Sequence, residues 1–408
     1  MTQTTKPHTN TIEVADIFRE HIQDYQERYP LLPDQYKVVY DILNCRTPYL
    51  GGHIEKCDHC ASERIAYNSC RNRHCPKCQS MPRERWLEVR KSELLPVMYF
   101  HSVFTLPHDL NTIILFNKKI VLNILFKAVS ETLLTFGKNP ENGLGGKLGF
   151  IAILHTWDQL LKDHFHLHCI IPAGAVAEDW TFWIPCKNGY LFNEEALAMV
   201  FRGKFIDYMT QAYEKGELVF SGITHPFEKP GKFKELKNTL YSKKWVVHVK
   251  EPIKKPDYVL EYLGRYTHRV AISNHRIVSL KDGKVTFKYK NRETNQMELT
   301  TIEAVEFIRR FLLHVLPKRF IKIRHYGFLA NRNKKSNIEK IHLMLGNAGT
   351  VKTDEKSVEQ LMLKLTGVDI TLCSCCKKGK MKIVSQIPEK TGLCPANIIR
   401  PIVWRETG

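Results

Sequence analysis

The sequence predicts an α+β fold: an antiparallel sheet with helices packed on one face, preceded by a small cysteine-rich zinc-binding domain. Three observations predict it. Two strand-like stretches, Gly149–Trp157 and residues 165–171, are joined by the short polar turn Lys162-Asp163, which makes them antiparallel neighbours. A second pair, residues 276–280 and Lys284–Lys290, flanks Asp282-Gly283, a dipeptide suited to a tight hairpin turn. Long helical patterns separate these strands, as crossings over a sheet would.

The elements follow in order. A helical pattern over residues 14–29 stops at Pro30, and another starts at Pro82, a favoured first-turn position, and runs through Trp86, Val89 and Leu94 to Pro96. Residues 99–106 read as a strand ended by Pro107, and residues 110–136 as one long helix. A helix over Glu194–Glu214 and a strand over 245–250 come next. Pro256 opens a helix that carries three tyrosines, and a last helix covers residues 300–315. The organisation expected is a disordered polar tail (1–10), a zinc-binding and DNA-binding domain (11–95), a catalytic domain (97–330) and a basic C-terminal region with its own cysteine cluster (331–408).

The chain has 408 residues, enough for two to four domains, and 61 Lys+Arg against 42 Asp+Glu give a net charge of +19. That excess suits a polyanionic partner, nucleic acid above all. No apolar run approaches the roughly 18–20 residues of a membrane helix, and the first ten residues hold no apolar signal core, so a cytoplasmic protein without a membrane partner is expected. In that compartment thiols stay reduced, and the clustered ones among 12 cysteines point to metal. The stretch Gly143-Leu144-Gly145-Gly146-Lys147 lacks the spacing and the hydroxyl of a phosphate-binding loop and reads as a turn.

Cys57-x2-Cys60 and Cys75-x2-Cys78 are two knuckles fourteen residues apart, and together they predict one tetrahedral zinc site. Cys45, His53, Cys70 and His74 crowd the same stretch: either they hold a second zinc or they pack around a single one. Arg71 and Arg73 lie among these ligands and are expected to hold DNA. Near the C-terminus Cys373-x2-Cys376, with Cys375 between and Cys394 downstream, looks like half of a zinc ribbon whose other half is not visible.

His166 and His168 are separated by one apolar residue, so on a strand both rings point to one face. Antiparallel pairing across the preceding turn brings His155 close to them, with Asp158 and Gln159 as fallback ligands. Three imidazoles of this kind can hold a divalent ion that polarises a phosphate oxygen. Tyr262 and Tyr266 lie one turn apart on a helix and, unlike Tyr258, which reads as packing, have the cationic neighbours Arg265 and Arg269, expected to approach DNA. A phenol with pKa near 10 needs help to attack phosphate, and the cation would supply it. The product would be a 5′-phosphotyrosine and a 3′-OH.

At these residues the chain resembles the IS91-type transposases of rolling-circle insertion sequences. These are two-tyrosine members of the His-hydrophobic-His (HUH) endonucleases, a superfamily shared with plasmid relaxases and replication initiators. The resemblance spans most of the chain. It rests on Cys57-Asp58-His59-Cys60, the run 67–78, His155-Thr156-Trp157, His166-Leu167-His168-Cys169, the run 262–274 and the run 324–331. It implies a ferredoxin-like sheet with the metal on a central strand, Mg²⁺ or Mn²⁺ for cleavage, and single-stranded DNA at the element ends and target as substrate. A nucleoid-associated setting with host replication factors is compatible with it. Two alternatives remain at this point: a replication initiator or relaxase with the same chemistry, and a non-catalytic zinc-ribbon DNA-binding protein.

Overall fold

The computed structural model describes residues 12–187, 189–254, 256–267, 270–291, 293–347 and 356–390. The tail expected over 1–10, together with Arg269 and Cys394, lies outside them. The chain opens with α1 (Val14–Arg28) and α2 (Pro33–Asn44), the second started by a proline in its first turn. A hairpin of β1 (Gly52–Cys57) and β2 (Glu63–Tyr67) follows, then α3 (Ser80–Lys91). The central part runs β3 (Tyr99–Thr105), α4 (Asn111–Phe116), α5 (Lys118–Lys138), β4 (Gly149–Trp157), β5 (Asp163–Pro172), the small pair β6 (Gly174–Val176) and β7 (Trp183–Pro185), α6 (Glu194–Glu214), α7 (Pro230–Ser242), β8 (Val246–Ile253) and α8 (Pro256–Tyr266). It is followed by β9 (Ile277–Lys281), β10 (Lys284–Lys290), β11 (Met297–Glu303), α9 (Ala304–Leu313), β12 (Ile323–Gly327), α10 (Lys334–Met344), α11 (Val358–Thr366) and β13 (Met381–Ile387).

The fold is therefore mixed helix and antiparallel sheet. Its main sheet has five strands in the order β12-β4-β5-β3-β8, each antiparallel to its neighbours. Alternation along the strands sorts the side chains. Phe100, Phe104, Ala152, Leu154, Leu167 and Cys169 face a core filled by α5 and α6, where Leu125, Val129, Phe201 and Phe205 are fully buried. Ile151, Ile153 and Ile170 face the opposite way. The expectation that helices cover one face is corrected here: Val259 and Leu263 of α8, Ile338 and Ile341 of α10, and Trp86 and Leu87 of α3 close over that second face. Toward its histidine-bearing end the same face is met by Tyr262 of α8, which contacts His101. A sheet with apolar residues on both faces has to be covered on both.

Other boundaries move as well. Residues 110–136 do not form one helix. Asn117 parts α4 from α5, and its amide exchanges hydrogen bonds with the backbone of Val219 at 2.8 and 2.7 Å. Residues 300–303 belong to β11, whose alternating exposure marks an outer strand, so the last helix begins only at Ala304. At 21 residues, α5 is long and apolar enough to cross a membrane, contrary to the reading of the apolar runs, but 67% of its most apolar stretch is buried in the core. A helix on the inner face of a sheet needs an apolar surface for that reason alone.

A second core joins distant parts of the chain. Ile17, Phe18 and Ile22 of α1 pack with Phe307 and Phe311 of α9, the rings of Phe18 and Phe311 meeting edge-on at 5.4 Å. The C-terminal strand β13 returns to the N-terminal hairpin and pairs with β1, giving a three-stranded ribbon ordered β13-β1-β2.

Candidate active site and metal centres

The strand register assembles the histidines. His155 of β4 stands directly opposite His166 of β5, and His168 lies two residues further along the same face. All three are buried, and their ligand nitrogens fall within 4.8 Å of one another. The His166 Nδ1–H donates to the carbonyl of His164 at 2.9 Å, which directs Nε2 at the Nε2 of His168, 3.0 Å away. Two nitrogens about 3.0 Å apart match neighbouring positions on a six-coordinate ion with bonds of about 2.1 Å. The His155 ring stacks on Trp157, which sets its plane. The donor set fits a divalent cation.

One further residue belongs here. His101 of β3 is 1% exposed, and its Nε2 meets Nδ1 of His168 at 2.8 Å. Its Nδ1 meets the hydroxyl of Tyr262 at 2.5 Å. Burial, with Lys250 and His166 adding to it, pushes His101 down to about 3, and burial holds His168 well below the ordinary imidazole range. Both rings are therefore neutral near pH 7. His101 carries no motif of its own in the sequence, and only the alternation along β3 sets it on the face opposite Phe100 and Phe104.

Tyr262 reaches His101 because α8 is fixed by Val259 and Leu263, buried at 0% and 1%. Tyr258, a turn earlier, is exposed and is not part of a buried stripe. The side chains of Arg265 and Tyr266, like Arg269, lie outside the described residues. Asp158 Oδ1 accepts from the backbone of Leu160 and Lys162, so that carboxylate builds the turn and stands apart from the three-histidine group. His164 is likewise outside the group, its ring 4.7 Å from that of His166.

Two grooves meet at the histidines, and His166, His168 and Lys250 line both. One, of about 850 Å³, runs past His108, His164, His248 and Lys243. The other, of about 470 Å³, runs past Trp157, Gln159, Arg276 and Lys290.

The cysteines group differently from the expectation. Cys57 and Cys60 do not close one site with Cys75 and Cys78. Instead Cys75 and Cys78 meet Cys45 and Cys70, with Sγ···Sγ separations of 3.4 Å (Cys45–Cys78) and 3.6 Å (Cys70–Cys78). Cys57 and Cys60 meet Cys373 and Cys376. The physical reason is the hairpin: β1 and β2 carry the first knuckle away from α2 and the second. Hydrogen bonds from Cys45, Cys70 and Cys75 hold the Cys78 thiol far below the usual range, while Cys45, Cys70 and Cys78 drive Cys75 far above it. Four crowded thiols cannot all ionise without a cation between them, and the set fits zinc.

His53 and His74, offered as further zinc ligands, belong to neither group. His53 Nε2 lies 3.5 Å from a carboxylate oxygen of Glu55, and burial pushes buried His74, which accepts from the backbone of Leu316, well below its ordinary range. The DNA role expected of Arg73 gives way to a structural one. Its guanidinium donates to the carbonyls of Phe320 at 2.5 Å and Pro317 at 2.9 Å, strapping the cysteine cluster to the loop before β12. Arg71 stays exposed.

Comparison with known proteins identifies the family. A family model described as "Transposase zinc-binding domain" matches residues 17–106. A second, described as "Putative transposase", matches residues 149–337. The chain is 42% identical over 385 residues to "Putative transposase y4qJ" of Sinorhizobium fredii (strain NBRC 101917 / NGR234), covering 93% of this chain and 96% of that one. It is 26% identical over 343 residues to "Transposase for insertion sequence element IS801" of Pseudomonas savastanoi pv. phaseolicola, covering 83% and 81%. No solved structure matches. The chain is a transposase with an N-terminal zinc-binding domain, in the class of enzymes that cut and join DNA. It belongs to the IS91-type insertion-sequence transposase family.

Proposed function

We propose that this transposase cleaves and rejoins single-stranded DNA through a tyrosine–phosphate bond, with Tyr262 as nucleophile and His155, His166 and His168 as the cation site. The observation that carries the proposal is the continuous line Tyr262 Oη–His101–His168, which joins the phenol to the histidine cluster at 2.5 and 2.8 Å. The ferredoxin-like HUH reading is supported by topology: β3, β4, β5 and β8, with helices between β3 and β4 and between β5 and β8, lie in one sheet in the order second, third, first, fourth strand, with the three clustered histidines on the inner strands β4 and β5.

Mg²⁺ or Mn²⁺ at the three histidines would draw electron density from a phosphate oxygen and stabilise the charge that builds on it. The protein's own groups set the geometry. A carbonyl only accepts, so His166 carries its hydrogen on Nδ1. With Nε2 offered to such a cation, neutral His168 would carry its hydrogen on Nδ1 and donate to His101 Nε2. His101 then carries its hydrogen on Nδ1 and donates to the Tyr262 oxygen. That bond turns a phenol lone pair and favours the oxygen as its negative charge grows.

The phenol oxygen attacks phosphorus and the P–O3′ bond breaks. The phenol proton leaves to solvent, and the departing 3′ oxygen takes one up as a 3′-OH. The ester energy is kept, so a 3′-OH can reverse the step on another strand. Tyr266 is the candidate for a second such link. Single-stranded DNA fits the two grooves that meet at the histidines, and Lys250, which lines both, is suited to phosphate.

The test is a labelled single-stranded element end mixed with protein and Mg²⁺. A protein–DNA adduct that survives denaturation is expected, and its loss in Tyr262→Phe and in the His166→Ala, His168→Ala double variant, with DNA binding retained. An undiminished adduct in both Tyr262→Phe and the Tyr262→Phe, Tyr266→Phe double variant would overturn the reading.

A further inference from the structure

The two ends of the chain converge on four sulfurs outside the site just described. Cys57 and Cys60 sit at the turn between β1 and β2, and Cys373 and Cys376 precede β13, more than three hundred residues later, yet all four Sγ atoms lie within 4.8 Å. Across the join, Cys57 faces Cys376 and Cys60 faces Cys373, each at 3.7 Å. Thiolates about 2.3 Å from a tetrahedral zinc stand about 3.75 Å apart along the tetrahedron's edges, so these separations fit that ion. They are far longer than the roughly 2.05 Å of a disulfide.

The surrounding backbone is arranged for thiolates. The N–H groups of His59 and Cys60 point at Cys57 Sγ at 3.4 and 3.5 Å, and that of Gly379 points at Cys376 Sγ at 3.4 Å. Such bonds favour the charged sulfur. Gly379 has no room for a side chain, because a Cβ there would lie 2.5 Å from Cys57 Sγ and 2.6 Å from the Cβ of His59. Beside the cluster the Asp58 N–H donates to the Lys380 carbonyl at 3.1 Å, and the Lys380 N–H donates to the Asp58 carboxylate at 2.8 Å, which ties the two cysteine loops together.

We propose that Cys57, Cys60, Cys373 and Cys376 hold a structural zinc ion of their own, a staple that fastens the C-terminal strand to the N-terminal ribbon. Two of its four ligands lie outside the matched zinc-binding segment, residues 17–106. The staple has a consequence for the catalytic helix. It holds α11 close to α3, where Lys364 pairs with Glu84 at 3.0 Å and Glu88 at 2.9 Å, and Leu361 is buried at 1%. Helix α3 in turn lies against α8 so closely that a Cβ at Gly264 would come within 3.2 Å of Leu87. The zinc therefore braces the helix of Tyr262 from behind; this last clause rests on the tyrosine reading, whereas the metal site does not.

The experiment counts zinc in the full-length protein by native mass spectrometry and follows hydrogen exchange along Met381–Ile387. Two zinc ions per chain are expected, falling to one in the Cys373→Ser, Cys376→Ser double variant, with faster exchange in that strand. Cys376→His should keep both ions and, with cobalt in place of zinc, change the spectrum of one site from four sulfurs to three sulfurs and a nitrogen. That variant decides the question even if the serine variant fails to fold. One ion in the wild type, an unchanged count in the serine variant, or a disulfide mass loss at these cysteines would overturn the proposal. None of these readouts uses DNA cleavage, so they stand or fall separately from the tyrosine chemistry.

Discussion

The histidine site and the cysteine sites are built on opposite plans. The histidines occupy neighbouring strands of one sheet, and their positions follow from hydrogen-bond register that apolar residues on both faces already enforce. The cysteines gather segments distant in sequence: the end of α2, the loop before α3, the ribbon turn and the loop before β13. A site set by register exists before its ion arrives. A site made of separate loops gains much of its folding energy from the ion. On the proposed function, the histidine ion is a reagent and the cysteine ions are architecture.

The sharpest way to break that contrast is to remove one ligand from each. Cys75→Ser should cost several kcal/mol, on the order of half of a small domain's stability, and loosen the α1–α2 core to which Cys75 and Cys78 belong. His168→Ala should leave the melting temperature within a few degrees while abolishing adduct formation. Equal thermal losses in the two variants would erase the distinction.

Gly327→Ala attacks the register itself. Gly327 has φ +60°, and a Cβ there would lie 1.7 Å from the Leu148 carbonyl, so β12 would have to leave β4. We expect a loss of roughly 3 kcal/mol or more by chemical denaturation, with zinc content unchanged. A normal denaturation midpoint would show that the sheet tolerates a shifted edge.

His101→Phe should keep the fold, since the ring is buried among packed neighbours, but slow adduct formation about 10–100-fold and weaken Mn²⁺ binding, as loss of a group behind a metal ligand commonly does. His101→Gln, which can still donate toward Tyr262, should recover part of the rate. Identical rates in the wild type and both variants would remove His101 from the mechanism.

The smallest effect lies between α11 and α3. Burial pushes Glu88 up, but hydrogen bonds and charge from Lys364 and Lys91 outweigh it and hold the carboxyl at about 2. A depressed carboxylate contributes stability that is present above its unfolded pKa of about 4.3 and is lost as pH falls toward 2. Partly exposed pairs of this kind contribute under about 1 kcal/mol. Trp86 fluorescence should therefore shift slightly between pH 4.5 and 2, and Glu88→Gln should flatten that change.

The sequence by itself determined what depends on near neighbours. Period-two alternation set His166 and His168 on one face, and the Lys162-Asp163 turn brought His155 opposite them. Helical spacing put Tyr262 on an amphipathic helix opened by Pro256, and paired cysteines two residues apart announced metal. Tertiary structure alone decided which cysteine knuckles lie together, that His101 stands between the Tyr262 phenol and His168, that Arg73 is a strap, and that helices close both faces of the sheet. Those outcomes depend on contacts between residues tens to hundreds of positions apart, and local pattern carries no record of which of several compatible partners the folded chain brings into reach.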